Sequence, residues 1–145
     1  MTNFWSDLVN INVKCNCRSP AVYKVRLIGT NGNHCQLARL LKVDQEGILC
    51  IGSTKNMEQR RQQFLSGING AKGHSEMNLI YYLKVYTNFL NMFKNTNFQY
   101  SFYECSDVTE SKKEEEKLIK SYFKEFGEVP PLNSAIPKRY GVWYS

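Results

Sequence analysis

The order of hydrophobic periods along this chain constrains its fold more than any other feature. Ala21 to Ile28 (AVYKVRLI) is β-branched and apolar, Ile48 to Gly52 (ILCIG) is a short apolar run, and Phe98, Tyr100 and Phe102 alternate with Gln99, Ser101 and Tyr103. Runs of this kind read as strands. Thr30-Asn31-Gly32-Asn33 and Asp44-Gln45-Glu46-Gly47 are turn sequences, because Asn, Asp and Gly tolerate positive φ, and a further strand is expected within Cys35 to Val43. Helical periods fill the remainder. Ser53 or Thr54 is expected to cap a helix running to about Leu65, with Met57, Phe64 and Leu65 on its buried stripe. Leu79, Tyr82, Leu83, Tyr86, Leu90 and Phe93 share one face of a long second helix after His74-Ser75, and a third runs from an Asp107 cap to Phe126. The order strand, strand, strand, helix, helix, strand, helix predicts an α+β fold.

A chain of 145 residues corresponds to one domain. Residues 1–20, ending at Arg18-Ser19-Pro20, are expected to form an arm leading into a domain over 21–145. A hydrophobic share of 42% with 13% aromatics excludes a disordered chain. No apolar run approaches the roughly 20 residues of a membrane helix, and Met1 to Leu8 lacks the plan of a signal peptide. The expectation is a soluble cytoplasmic protein with no membrane partner, whose five cysteines stay reduced.

Net charge is +6 and unevenly spread: residues 1–73 carry ten Lys/Arg against four Asp/Glu, and residues 74–145 carry nine of each. An excess concentrated in one half is what phosphate-rich partners select. Six cations, Lys24, Arg26, Arg39, Lys42, Lys55 and Arg61, are the expected contacts to the phosphates of such a partner.

Three polar residues fall toward the core side of their elements. Tyr23 lies on the first strand, and Arg60 and Arg61 fall beside or within the stripe of the first helix. Helix phase alone does not choose between the two arginines. Glu115 sits in the middle of the last helix's stripe of Val108, Leu118, Ile119, Tyr122 and Phe126, with Glu114 and Glu116 on its flanks. Burying a carboxylate costs several kcal/mol unless it is paired or binds a cation. A phenol, a guanidinium and a carboxylate suit phosphodiester hydrolysis: one orients or deprotonates water, one meets phosphate charge, one holds a divalent metal ion. A buried Arg–Glu pair would explain two of the three equally well.

These residues carry a resemblance. Ala21-Val22-Tyr23 stands where Gly-Ile-Tyr is found, and Cys50-Ile51-Gly52 where Tyr-Ile-Gly is found, in the GIY-YIG nuclease superfamily, which the chain resembles over residues 21–133. The run CIGSTKNMEQR is similar to the family's passage from its second half-motif into its first helix, and it puts the catalytic arginine at Arg60. By the same resemblance His74 is a site residue, Glu115 in EEKLIK is the metal-binding glutamate, and Asn133 is the asparagine that braces the site. The resemblance implies a small three-stranded antiparallel sheet flanked by helices. It also implies an endonuclease acting on double-stranded DNA, the phosphate-rich partner of the six cations, with one Mg²⁺ or Mn²⁺ ion; a nucleic-acid-binding module of weakened turnover is the alternative. No separate DNA-reading segment is visible, so a homodimer or a protein partner would supply specificity.

Two departures matter. Cys50 replaces the second tyrosine, which moves the base role onto Tyr23, and a tyrosine restored at 50 is expected to be tolerated. The 26 residues from Lys24 to Leu49 also form a longer gap than in homing-type members, read as a long hairpin able to reach DNA through Arg26, Arg39 and Lys42.

Overall fold

The computed structural model describes residues 5–29, 31–70, 75–88 and 97–133, the side chains of residues 75–78 excepted, so Leu90 and Phe93 lie outside the described residues. Its elements follow the chain as β1 (Val9–Asn10), β2 (Ala21–Leu27), β3 (Leu37–Ala38), β4 (Val43–Asp44), β5 (Ile48–Thr54), α1 (Met57–Ile68), α2 (Ser75–Tyr86), β6 (Phe98–Glu104) and α3 (Val108–Phe126). The fold is α+β. A four-stranded sheet has the order β1-β6-β2-β5, with every pairing antiparallel, and β3 and β4 form a separate two-stranded ribbon.

The sheet therefore has one strand more than the expected three. The fourth is two residues of the N-terminal arm, Val9 and Asn10, which pair with Tyr100 and Gln99. Residues 5–20 are built into the domain as well: Ile11 and Cys17 are buried, and Trp5 meets the Tyr103 ring edge-on at 4.7 Å. The strand expected within 35–43 does not join the main sheet.

Strand β2 is central and covered on both faces, which explains its nearly continuous apolar run. Ala21, Tyr23, Val25 and Leu27 face a core with Phe98 and Tyr100 from β6, Met57, Phe64 and Ile68 from α1, and Ile80 from α2. On the other face Ile48 and Ile51 of β5 pack against Ile119, Tyr122 and Phe126 of α3. Each large apolar side chain buried in this way contributes roughly 1.5–3 kcal/mol. Between β2 and β5 the register shifts after Val25, leaving Leu49 as the extra residue of a bulge. Leu49 and Cys50 consequently both enter the α1-side core, although they are neighbours in sequence.

Local chemistry ends the helices. Asn56, rather than Ser53 or Thr54, caps α1 by accepting a hydrogen bond from the Gln59 amide at 3.1 Å. Asp107 caps α3 through the Glu110 amide at 2.7 Å, as the sequence predicts. Gly127 stops α3 at φ 77°, a left-handed conformation that favours glycine, and its amide donates to the Phe123 carbonyl. Among the described residues, no helix is long and apolar enough to cross a membrane.

Candidate functional site

The end of β5, where it enters α1, is the junction around which polar side chains gather. β5 is an edge strand of the main sheet, so a cleft can wrap around its outer side between α1 and α3. That open cleft has a volume of about 430 Å³ and is lined by Ser53, Lys55, Gln59 and Arg60 on one side and by Ser111 and Lys112 on the other.

Strand register brings the first group in. Tyr23 is paired with Gly52, and its ring is buried at 1% exposure. A Cβ at Gly52 would collide with the Tyr23 hydroxyl and ring, so the close approach of phenol to backbone requires glycine there. Arg60, half-buried on the first turn of α1, donates from Nη1 to the Tyr23 hydroxyl at 3.3 Å, and its guanidinium carbon lies 5.9 Å from the ring centroid.

Ser53, next to Gly52, faces the opposite side of the sheet, as does Ile51 two residues earlier. Its hydroxyl donates to Glu115 Oε2 at 2.7 Å. Glu115 lies one turn after the cleft residue Ser111 on α3. The outer edge of β5 is closed by the chain's later segment. Leu132 donates its amide to the Leu49 carbonyl at 2.8 Å. The Asn133 side chain accepts from the Ile51 amide at 3.0 Å and donates to the Ile51 carbonyl at 2.8 Å, so one carboxamide stands in for a strand partner.

Tyr23, Arg60, Glu115 and Asn133 are thus brought around Cys50 to Thr54, the stretch holding the second half-motif. His74 lies outside the described residues. Cys50 is 0% exposed within the α1-side core, opposite Val25. A tyrosine there would overpack the core, which corrects the expectation that one would be tolerated.

The carboxylates of α3 differ from expectation by one position. Glu116, at 3% exposure, is the deeply buried one and lies 3.7 Å from Lys120 Nζ. Glu115 is half-buried at the cleft, and Glu114 accepts from the Tyr103 hydroxyl at 2.9 Å. Val108 is exposed rather than part of the stripe. Leu118 of α3 packs with Trp5 of the arm against Val22, Tyr103 and Cys105, a neighbourhood that the helix's own sequence does not reveal.

Three of the six expected phosphate contacts are engaged inside the protein. Arg61 is 3% exposed and forms a two-pronged pair with Glu58, Nε to Oε1 and Nη2 to Oε2, both at 2.8 Å. Its Nη1 donates to the Ile11 carbonyl at 2.8 Å, while Glu58 also accepts from the Cys15 amide at 3.0 Å. The hydrogen-bonded Arg61 guanidinium holds the Glu58 carboxyl down at about 2. Arg26 is buried and pairs with Glu46 at 2.9 Å, and Arg39 donates to the Val129 carbonyl at 2.7 Å. A buried guanidinium spent on a protein carboxylate or carbonyl is not available to a phosphate.

The other three cations differ among themselves. Lys24 is half-buried, with its ammonium 4.1 Å from the Trp5 ring centroid, and burial pushes its pKa below the ordinary lysine value. Lys42 pairs with Glu125 at 2.7 Å, at the surface. Lys55 is exposed on the cleft wall. Ser53, Gln59 and Lys112 join the site without having been expected there from the sequence. The strand period that puts Ser53 on the face of Ile51 was the available signal for the first of these. No protein-family model, curated protein or solved structure matches the chain.

Proposed function

We propose that the chain is a divalent-metal-dependent endonuclease hydrolysing DNA phosphodiester bonds at a GIY-YIG-like site. The observation that carries this function is the convergence at one cleft of the Arg60–Tyr23 hydrogen bond and the Ser53–Glu115 hydrogen bond, from opposite faces of one edge strand. A phosphodiester in the cleft would meet Arg60 with Lys55 and Lys112 on the flanks, and Ser53, which holds Glu115, on the wall.

The roles derive from the chemistry of each group. The planar guanidinium of Arg60 bonds the non-bridging phosphate oxygens and strengthens as charge develops on them. The Tyr23 oxygen, oriented by Arg60, positions the attacking water and, in its ionised phenolate form, takes its proton. As the water oxygen bonds to phosphorus, the bond from phosphorus to the 3′ oxygen breaks and that oxygen takes a proton from solvent, leaving a 5′-phosphate and a 3′-hydroxyl. Glu115, with Ser53 occupying one oxygen, would hold the cation through the other. The donors nearby are oxygens, from the Glu115 carboxylate and the Ser53 hydroxyl, which suits Mg²⁺ or Mn²⁺: such ions keep several waters and use one or two carboxylates plus substrate phosphate. Bound there, the ion would neutralise phosphate charge and stabilise the leaving oxygen. Asn133 keeps the edge of β5 closed, which holds Ser53 and hence Glu115 in place.

Supercoiled plasmid incubated with the protein, with and without Mg²⁺, tests this function. Nicked or linear product should appear only with the metal. Duplex binding without product under either condition would favour the alternative, a module that holds nucleic acid without cutting it, for which the loss of a second tyrosine at Cys50 is the supporting feature. A homodimer or specificity partner would be revealed by site-selective cutting that depends on protein concentration or on the added protein.

A further inference from the structure

The segment between Tyr23 and Cys50 contains the β3–β4 hairpin, as expected, but its turn is packed on the protein instead of reaching outward. It folds over the C-terminal end of α3, and residues 39–42 engage residues 125–129 one after another. Lys42 pairs with Glu125 at 2.7 Å, and the Leu41 amide donates to the Phe126 carbonyl at 3.0 Å. The Leu41 side chain covers Gly127, where a Cβ would come within 2.7 Å of Leu41 Cγ. The Leu40 amide donates to Glu128 Oε2 at 2.7 Å. Arg39 completes the set: Nη2 donates to the Val129 carbonyl at 2.7 Å and lies 3.5 Å from Glu128 Oε1, with the side chain only 14% exposed.

The chain beyond Val129 is stiff. Pro130 and Pro131 each fix φ, so the position of Val129 is carried forward to Leu132 and Asn133 with little slack. Those two residues close the outer edge of β5 at Leu49 and Ile51, two residues before Ser53. A guanidinium can satisfy a carbonyl and a carboxylate together from one planar fork, whereas a lysine ammonium is a single point.

We propose that Arg39 is a positioning residue of the site, fixing residues 128–133 so that Asn133 registers on Ile51 and the Ser53 end of β5 is held for Glu115. Its link to cleavage rests on the nuclease function proposed above; its link to Asn133 does not.

The two links are tested separately on the full chain. Amide hydrogen exchange followed by NMR reads the Ile51 amide, which donates to Asn133, against amides of the central strand β2. Arg39→Ala should speed Ile51 exchange by about tenfold or more with β2 unchanged, because the opening is local. Asn133→Ala should do the same, and Arg39→Lys should fall between wild type and Arg39→Ala. Unchanged Ile51 exchange in Arg39→Ala, or equal acceleration at Ile51 and β2, would overturn the proposal. In the cleavage assay Arg39→Ala should lower kcat with KM for DNA unchanged. A raised KM with unchanged kcat would make Arg39 a DNA contact instead. Should the wild-type protein not cut DNA at all, the nuclease function fails while the exchange experiment still decides the role of Arg39.

Discussion

Gly52 lies directly across from Tyr23 on the neighbouring strand, and the phenol occupies the space that any side chain at 52 would need. Gly52 and Tyr23 are therefore a single packing arrangement. Gly52→Ala should cost roughly 1–3 kcal/mol by overpacking and should displace the Tyr23 hydroxyl from Arg60. Urea unfolding measures the first effect and plasmid cleavage the second. An alanine variant with wild-type stability would contradict the close approach.

Arg60 and Arg61 are adjacent but have different surroundings, and their alanine variants should separate cleanly. Arg60→Ala should leave the melting temperature nearly unchanged and reduce cleavage by several orders of magnitude. Arg61→Ala strands the Glu58 carboxylate without its partner and should destabilise the fold by about 3–5 kcal/mol. Thermal unfolding of both proteins checks the split. Equal stability losses would show that the division of labour is wrong.

Glu115→Gln keeps the shape of the side chain and its bond from Ser53 but is a poor ligand for a hard cation. Mg²⁺-dependent cleavage should vanish with the fold intact. Ser53→Ala, which frees the second carboxylate oxygen, should instead raise the Mg²⁺ concentration needed for half-maximal rate. Normal cleavage by a folded Glu115→Gln protein would remove the metal assignment.

Acid should find the Glu58–Arg61 pair. The Glu58 carboxyl sits at about 2 in the folded chain against an ordinary value of 4.5, chiefly because Arg61 donates to it. A depressed value means that the ionised form stabilises the native state. Its contribution is fully present above about 4.5 and is lost as pH falls through about 2. Urea midpoints measured across that window should fall for the wild type and stay flatter for Glu58→Gln. Parallel curves would assign the acid sensitivity to other carboxylates.

Salt dependence counts the cations that reach DNA. Six phosphate contacts would give a log–log slope near roughly −5, but Arg26, Arg39 and Arg61 are engaged within the protein. The cleft is flanked by Lys55, Arg60 and Lys112, which implies a slope near roughly −3. Duplex titrations at several salt concentrations read it directly, and a value near roughly −5 would return the buried arginines to the interface.

The sequence by itself determined the elements whose signal is local. β2 and β5 are legible as short apolar runs rich in β-branched residues, and β6 by the alternation of its aromatic residues. The α3 start is legible because Asp107 satisfies an amide three residues away, and the helix ends at the expected Phe126. The tertiary structure decided what depends on distant partners. Which of Glu114, Glu115 and Glu116 is buried turns on a step of roughly 100° per residue and on what packs against each face. Arg61 is drawn inward by a carbonyl 50 positions away, and Asn133 meets Ile51 across 82. A buried polar group is stable only where a partner compensates for its lost hydration, and such a partner is set by the fold's path rather than by any period in the chain. The two arginines share one sequence context and are told apart by what lies opposite each.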